Sequence, residues 1–296
     1  MLLPAAVHHG SAVWALIATD QSGQIAGAAA ISPRLRAQPM PGPRFAVHVI
    51  PPARGKGLGR ELTQTGGRFA HSRGAQALYS WDLLEGDSPA IAAWAKLGFD
   101  QSVRVEEGRA DVKRVVDYLE PLYQSVVERR WIPGEARIIP LNQADPRQIA
   151  RLHVDCLGGT VDDLLRLLRG DAPARYDPAL SAAIIVDGRV VGFTLTERTG
   201  AASGFVHATV VHPALRKRWA NLWLKYHVAC RCMESGITML LYQSYDQHRD
   251  TRRFNRVIGA TIRTLLEPYR VLGAACSSGG GSPGPDALPD RNCERP

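Results

Sequence analysis

Cysteine is sparse in this chain: Cys156, Cys230, Cys232, Cys276 and Cys293 are the whole set. None is spaced as a zinc-binding pair, and Cys230 and Cys232 would point to different faces of a helix. This argues against a metal-stapled or disulfide-built domain and for reduced thiols in a cytoplasmic protein. Long apolar runs are also missing, so no segment is expected to span a membrane. Met1-Leu2-Leu3-Pro4 lacks the basic region of a secretory signal. Lysine is rare, with only Lys56, Lys96, Lys113, Lys217 and Lys225, so the net charge of +8 rests on arginine. A basic surface suits anionic ligands and leaves nucleic acid open as a partner.

With 296 residues, 45% of them hydrophobic and 22% charged, the chain is expected to fold as two globular domains. Its most informative stretch is Arg54-Gly55-Lys56-Gly57-Leu58-Gly59. An apolar run, Phe45 to Ile50, precedes it and reads as a strand; Arg60-Glu61-Leu62-Thr63 opens a helix. Glycines at a strand-to-helix turn let backbone N–H groups approach an anion, and the helix N-terminus adds partial positive charge. Lys56 is not followed by Ser or Thr, which excludes a Walker loop, and a third glycine is missing for a dinucleotide fingerprint.

The pattern Arg54-x-x-Gly57-x-Gly59 after a Val-Ile-Pro-Pro strand end resembles the pyrophosphate loop of the GNAT superfamily, the acetyl-CoA-dependent N-acyltransferases. Ala90-Ile-Ala-Ala-Trp-Ala-Lys-Leu-Gly-Phe99 resembles that family's second motif. The resemblance implies an α/β fold of two tandem GNAT-like domains, each a mixed central sheet flanked by helices. It implies acetyl-CoA or a related acyl-CoA as co-substrate, held by Val49, Ile50, Arg54, Gly55, Lys56, Gly57, Leu58, Gly59 and Arg60.

Along the chain, Ala12–Thr19 and Gln24–Ser32 read as a hairpin and the proline-bearing stretch 33–44 as a loop. A helix over 58–72 is expected despite Gly66 and Gly67, each costing roughly 1 kcal/mol relative to Ala. Ala77–Leu83 reads as a strand and Ser88–Leu97 as a helix. Pro121 interrupts 112–131, whose conformation the pattern leaves open, and Ile132-Pro133-Gly134 marks a boundary. Beyond it come strands at 137–141, 182–186, 189–196, 205–211 and 237–243, and helices at 148–157, 161–168, 222–233 and 251–258. The order repeats the first half and adds an opening strand and two helices. The expected division is 1–131, 132–272 and a flexible tail, 273–296. In the second half Lys217, Trp219 and Asn221 replace Gly55, Gly57 and Gly59, which predicts poor CoA binding there.

Acyl transfer needs an amine made nucleophilic, a carbonyl held beside it and a proton for the leaving thiolate. The family's usual tyrosine acid falls at Trp94, a poor proton donor, and Asp87 stands where the family often has Asn. His48, on the strand beside the expected thioester, is a candidate base or a structural histidine. Asp82 and Glu85 are candidates after the next strand, or members of a solvated turn. Tyr245, Asp246 and His248 read as a polar loop that meets the acceptor or only solvent. Arg216, Lys217, Arg218, Arg249, Arg252, Arg253 and Arg256 make the second half basic. The expected function is N-acyl transfer from CoA to an amine of a small molecule or peptide. The alternatives are an aminoacyl-tRNA-dependent transferase on the same tandem fold and a non-catalytic acyl-CoA-binding protein.

Overall fold

The computed structural model describes residues 2–6, 12–32, 34, 40–171, 176–216, 218–245 and 249–273. Asp246, His248, Lys217 and the tail beyond 273 lie outside them.

The first half runs β1 (Leu2–Ala6), β2 (Ala12–Thr19), β3 (Ile25–Ser32), β4 (Arg44–Val49), α1 (Leu58–His71), β5 (Ala77–Ser80), α2 (Pro89–Lys96) and β6 (Gln101–Asp111). Helix α3 (Val112–Glu128) leads to the second half. There follow β7 (Arg137–Pro140), α4 (Pro146–Leu157), α5 (Val161–Arg169), β8 (Ala182–Val186), β9 (Arg189–Arg198), β10 (Ser203–Val211), α6 (Trp219–Glu234), β11 (Met239–Tyr245), α7 (Arg249–Val257) and β12 (Thr261–Val271). Among the described residues the halves repeat strand for strand, and the second carries two helices between its first and second strands.

The strands of the described residues join one 12-stranded sheet in the order β1-β2-β3-β4-β5-β12-β6-β11-β10-β9-β8-β7. Most neighbours are antiparallel; β4 with β5 and β10 with β11 are the parallel pairs. The centre of the sheet is exchanged between the halves. Strand β12, from the second half, lies between β5 and β6, while β6, from the first half, lies between β12 and β11. The division near residue 131 falls in the connection from α3 to β7, and hydrogen bonds of both halves cross it.

Three apolar cores follow from strand alternation. On β3 and β4, Ala29, Ile31 and Phe45 turn to one face and pack against Leu62 of α1 and Trp94 of α2. The second half is covered on both faces. Ala183, Phe193 and Leu195 meet α4 and α5 on one side, while Ala182 and Ile184 meet α3 and α6 on the other.

The segment left open around Pro121 is a helix. Asp111 caps it, accepting from the Arg114 N–H at 2.9 Å. Val112, Val115, Val116, Leu119 and Val126 line one face and pack against α6, while Pro121 lies inside the helix on its exposed side. Burial of five apolar side chains, at ~1.5–3 kcal/mol each, outweighs the ~3 kcal/mol cost of an interior proline.

Candidate functional site

Strands β4 and β5 pair over only two rungs, Arg44 with Tyr79 and Phe45 with Ser80, and then separate. The separated strand β4 delivers the chain, through a single 3₁₀ turn at Pro51–Ala53, to the glycine loop. Arg54 fixes that turn, donating from Nε to the Val49 carbonyl at 2.9 Å. Gly55 and Gly57 have φ of 76° and 85°, and Gly57 is the N-cap of α1. Only glycine takes this backbone without strain, and it aims successive N–H groups outward. A Cβ at Gly55 or Gly57 would meet nothing within 4 Å, so the space in front of both is open. Gly59 lies deeper, where a Cβ would sit 3.7 Å from Leu97 and Val49. The first N–H groups of α1 have no intrahelical acceptor, and Arg54, Lys56 and Arg60 surround them with exposed positive charge. The arrangement can bind a polyanion.

His48 is exposed on β4 and Asp82 is exposed just past β5. Both lie beyond the last shared rung, at the end of the sheet where the strands part. Glu85 is exposed and ion-paired with Arg263 of β12, whose Nε donates at 3.0 Å. Trp94 does not reach the mouth of this opening. It is 8% exposed and sits edge-on to Phe99 with centroids 4.6 Å apart, a core residue.

In the second half Arg216 repeats the contact of Arg54, donating from Nε to the Val211 carbonyl at 3.3 Å. The glycine geometry is not repeated. Helix α6 starts at Trp219 behind an extended Arg218, and Trp219 is buried in the core. Strands β10 and β11 pair as far as Val206 with Tyr242 and then separate around a cavity of about 490 Å³. Around it the structure brings together groups that the sequence pattern did not single out. At the bulge between Val206 and Ala208, His207 Nε2 meets Glu197 Oε2 at 2.7 Å. The Tyr242 hydroxyl donates to Asn255 Oδ1 at 2.7 Å. Burial, with the charge of Glu106 adding to it, holds the Tyr242 phenol well above its ordinary range.

Tyr245 is a correction: it is no part of a surface loop. It is buried at the end of β11, where its hydroxyl lies 3.3 Å from both Arg34 Nη2 and Glu267 Oε2. Arg216, Arg218, Arg253 and Arg256 are exposed. Cys156, Cys230 and Cys232 are free thiols. Among the described residues no cluster of His, Cys, Asp and Glu could hold a metal ion, and no helix is long and apolar enough to cross a membrane.

Comparison with known proteins agrees with this geometry. Residues 4–99 match the model of the acetyltransferase (GNAT) family. No curated protein matches the sequence. Among solved structures, a GCN5-related N-acetyltransferase from Sphaerobacter thermophilus is similar at 18% identity. The match covers 87% of this chain and 80% of that one, with a TM-score of 0.53. A tandem GNAT protein from the clavulanic acid biosynthesis pathway is similar at 16% identity, over 90% of this chain and 85% of that one, with a TM-score of 0.51. A fungal GCN5-related glucosamine N-acetyltransferase region gives 15% identity and a TM-score of 0.58, over 87% of this chain and 33% of that one. Residues 4–99 are thus similar to a GNAT acetyltransferase domain, and the chain as a whole shares the α/β fold of GNAT proteins, tandem members among them.

Proposed function

We propose that the protein moves an acyl group, most simply acetyl, from CoA to an amine of a small molecule or peptide in the cytoplasm. One observation carries the reading: the left-handed Gly55 and Gly57, with open space before them, at the N-terminus of α1. In this reading residues 1–131 bind the donor, with the pyrophosphate on the N–H groups from Gly55 to Arg60. The pantetheine arm lies along Val49 and Ile50 in the opening between β4 and β5. Residues 132–272 supply architecture, chiefly β12, and 273–296 form a tail.

The amine nitrogen attacks the thioester carbonyl, the carbon–sulfur bond breaks, and the departing thiolate takes up a proton. Proximity in the opening supplies much of the acceleration. In this reading His48 or Asp82, exposed at the mouth, takes the amine proton, and Glu85, ion-paired with Arg263, borders that edge. The buried indole of Trp94 has no part in proton transfer, so the thiolate is protonated by water or by the group that received the amine proton.

The test replaces Gly57 and Gly59 with bulky residues, titrates acetyl-CoA by calorimetry, and follows thiol release with a panel of amines. Loss of binding and of thiol release together supports the reading. Binding without thiol release points to a non-catalytic binder. Consumption of aminoacyl-tRNA with steep salt dependence would instead assign the exposed arginines of the second half to phosphates.

A further inference from the structure

The second-half cavity holds polar groups that nothing described in the protein satisfies. Among the described residues, Ser244 Oγ and Asn255 Nδ2 have no hydrogen-bond partner, although both side chains are more than nine-tenths buried. Both line the 490 Å³ cavity between β10 and β11. A buried polar atom left unpaired is destabilising, so two facing one cavity mark a place where a ligand supplies the missing partners.

The lining tells which partner fits. Asn255 already uses its Oδ1 to accept from Tyr242, so it offers an N–H donor to the cavity. Arg216 and Lys225 line the same space, with the Lys225 ammonium 4.3 Å from the centre of the Phe254 ring. Among the described residues no aspartate or glutamate lines the wall; the nearby Glu197 is engaged by His207. Val210, Val228, Leu240 and Ile258 give the wall an aliphatic part, beside the neutral polar side chains of Thr194, Thr209, Asn221 and Gln243. The positive charge of Arg216 and Lys225, the unpaired amide of Asn255 and hydroxyl of Ser244, and the aliphatic part of the wall suit an anion with an apolar body.

We propose that this cavity is a separate binding site for a small aliphatic carboxylic acid in its ionised form. It is a different place from the donor loop. Between the parting of β4 from β5 and that of β10 from β11 lie four strand spacings, roughly 19 Å. Trp219, packed in the core where the first half has Gly57, removes the glycine geometry that a pyrophosphate would use.

The probe is hexanoate, titrated calorimetrically into the full chain, with hexylamine and hexanol as size-matched controls. Hexanoate should bind with one site per chain and the controls should not. Asn255→Asp keeps the shape and turns the donor into a second anion, and should weaken hexanoate at least tenfold. Ser244→Ala should weaken it several-fold while leaving the melting temperature within a degree or two. Saturating acetyl-CoA should not displace hexanoate, and hexanoate should still bind to a chain whose donor loop has been blocked. Three results overturn the proposal: hexylamine binding as well as hexanoate, Asn255→Asp binding hexanoate unchanged, or acetyl-CoA competing for the site.

Discussion

Arg34 and Glu267 stand 233 positions apart and meet at 2.6 Å, both side chains buried. Arg34 follows β3 in the first half, whereas Glu267 is on the exchanged strand β12. Around the pair, Arg44 reaches the other carboxylate oxygen at 3.4 Å, and the Arg34 guanidinium lies 3.8 Å over the Tyr79 ring. Burial alone would lower the affinity of Arg34 for its proton, but the fields of Tyr245 and Glu267 outweigh it and the net shift is upward. The contact fastens the exchanged strand to the half that receives it.

Removing one member of a buried ion pair strands the other, at a cost of about 3–5 kcal/mol. Glu267→Gln should therefore lower the urea midpoint strongly, and the combined change Arg34→Met with Glu267→Leu should be less damaging than Glu267→Gln alone. Equal loss in both variants would show that the pair carries no special weight.

Strand exchange makes a second expectation. β12 supplies the neighbour of both β5 and β6. A chain ending after α7 should lose the first half along with the second, because the edge of β5 would be left open. Limited proteolysis is the measurement. Survival of a protected fragment from residue 12 to about 111 would mean that the first half does not need the strand.

Gly66 looks like a defect in α1, since alanine is the better helix former by about 1 kcal/mol. The structure reverses that sign. A Cβ at Gly66 would lie 2.5 Å from the Phe45 ring, and Phe45 is fully buried. Gly66→Ala should destabilise by about 1–3 kcal/mol through overpacking, read from chemical denaturation. A stabilised variant would mean that Phe45 moves aside freely.

These positions show what the sequence could and could not display. The hairpin of β2 and β3, the strand β4, the glycine loop and helices α1, α2, α4 and α5 were legible because apolar period and turn chemistry agreed. Strands β6 and β12 escaped for a physical reason. Arg104, Glu106, Glu107, Arg109 and Asp111 break the alternation of β6, and β12 carries Glu267 and Pro268. Both strands lie in the middle of the sheet; on β12 the charge of Glu267 is justified by its long-range partners Arg34 and Arg44, whereas Arg104, Arg109 and Asp111 of β6 stay exposed. The α3 helix was hidden by Pro121, whose exposure makes it tolerable. The donor loop was readable because its mechanism is local. The group around His207 and Asn255 was not, because it is assembled from β9, β10, β11 and α7.

Alkaline pH gives a further expectation. Burial, against the hydrogen bond to Met40 and the field of Arg34, pushes the Tyr79 phenol from 10.0 up to about 12. The folded state thus keeps a proton that the unfolded chain gives up. Stability from this group is complete below pH 10 and drains away as pH rises toward 12. Tyr79→Phe should be less stable at neutral pH, having lost the 2.8 Å bond to the Met40 carbonyl, yet lose less stability between pH 10 and 12 than the parent. Parallel curves for the two proteins would remove Tyr79 from the alkaline transition.

Gly57 and Gly59 separate backbone strain from ligand approach. At Gly57 φ is 85°, so alanine there should cost about 1–2 kcal/mol of stability whether or not a ligand binds. Gly59 is in the first turn of α1, and a Cβ would make only ordinary contacts at 3.7 Å, so Gly59→Ala should melt within a degree or two of the parent. Helix propensity even favours the change. If a pyrophosphate packs on the N-terminus of α1, that one methyl group intrudes where the anion must come close, and acetyl-CoA affinity should fall at least tenfold in a protein of undiminished stability. Calorimetric titration beside a thermal melt measures both. An unweakened Gly59→Ala would mean that the anion stays farther from α1, and the donor would have to be placed on Arg54, Gly55 and Lys56 alone.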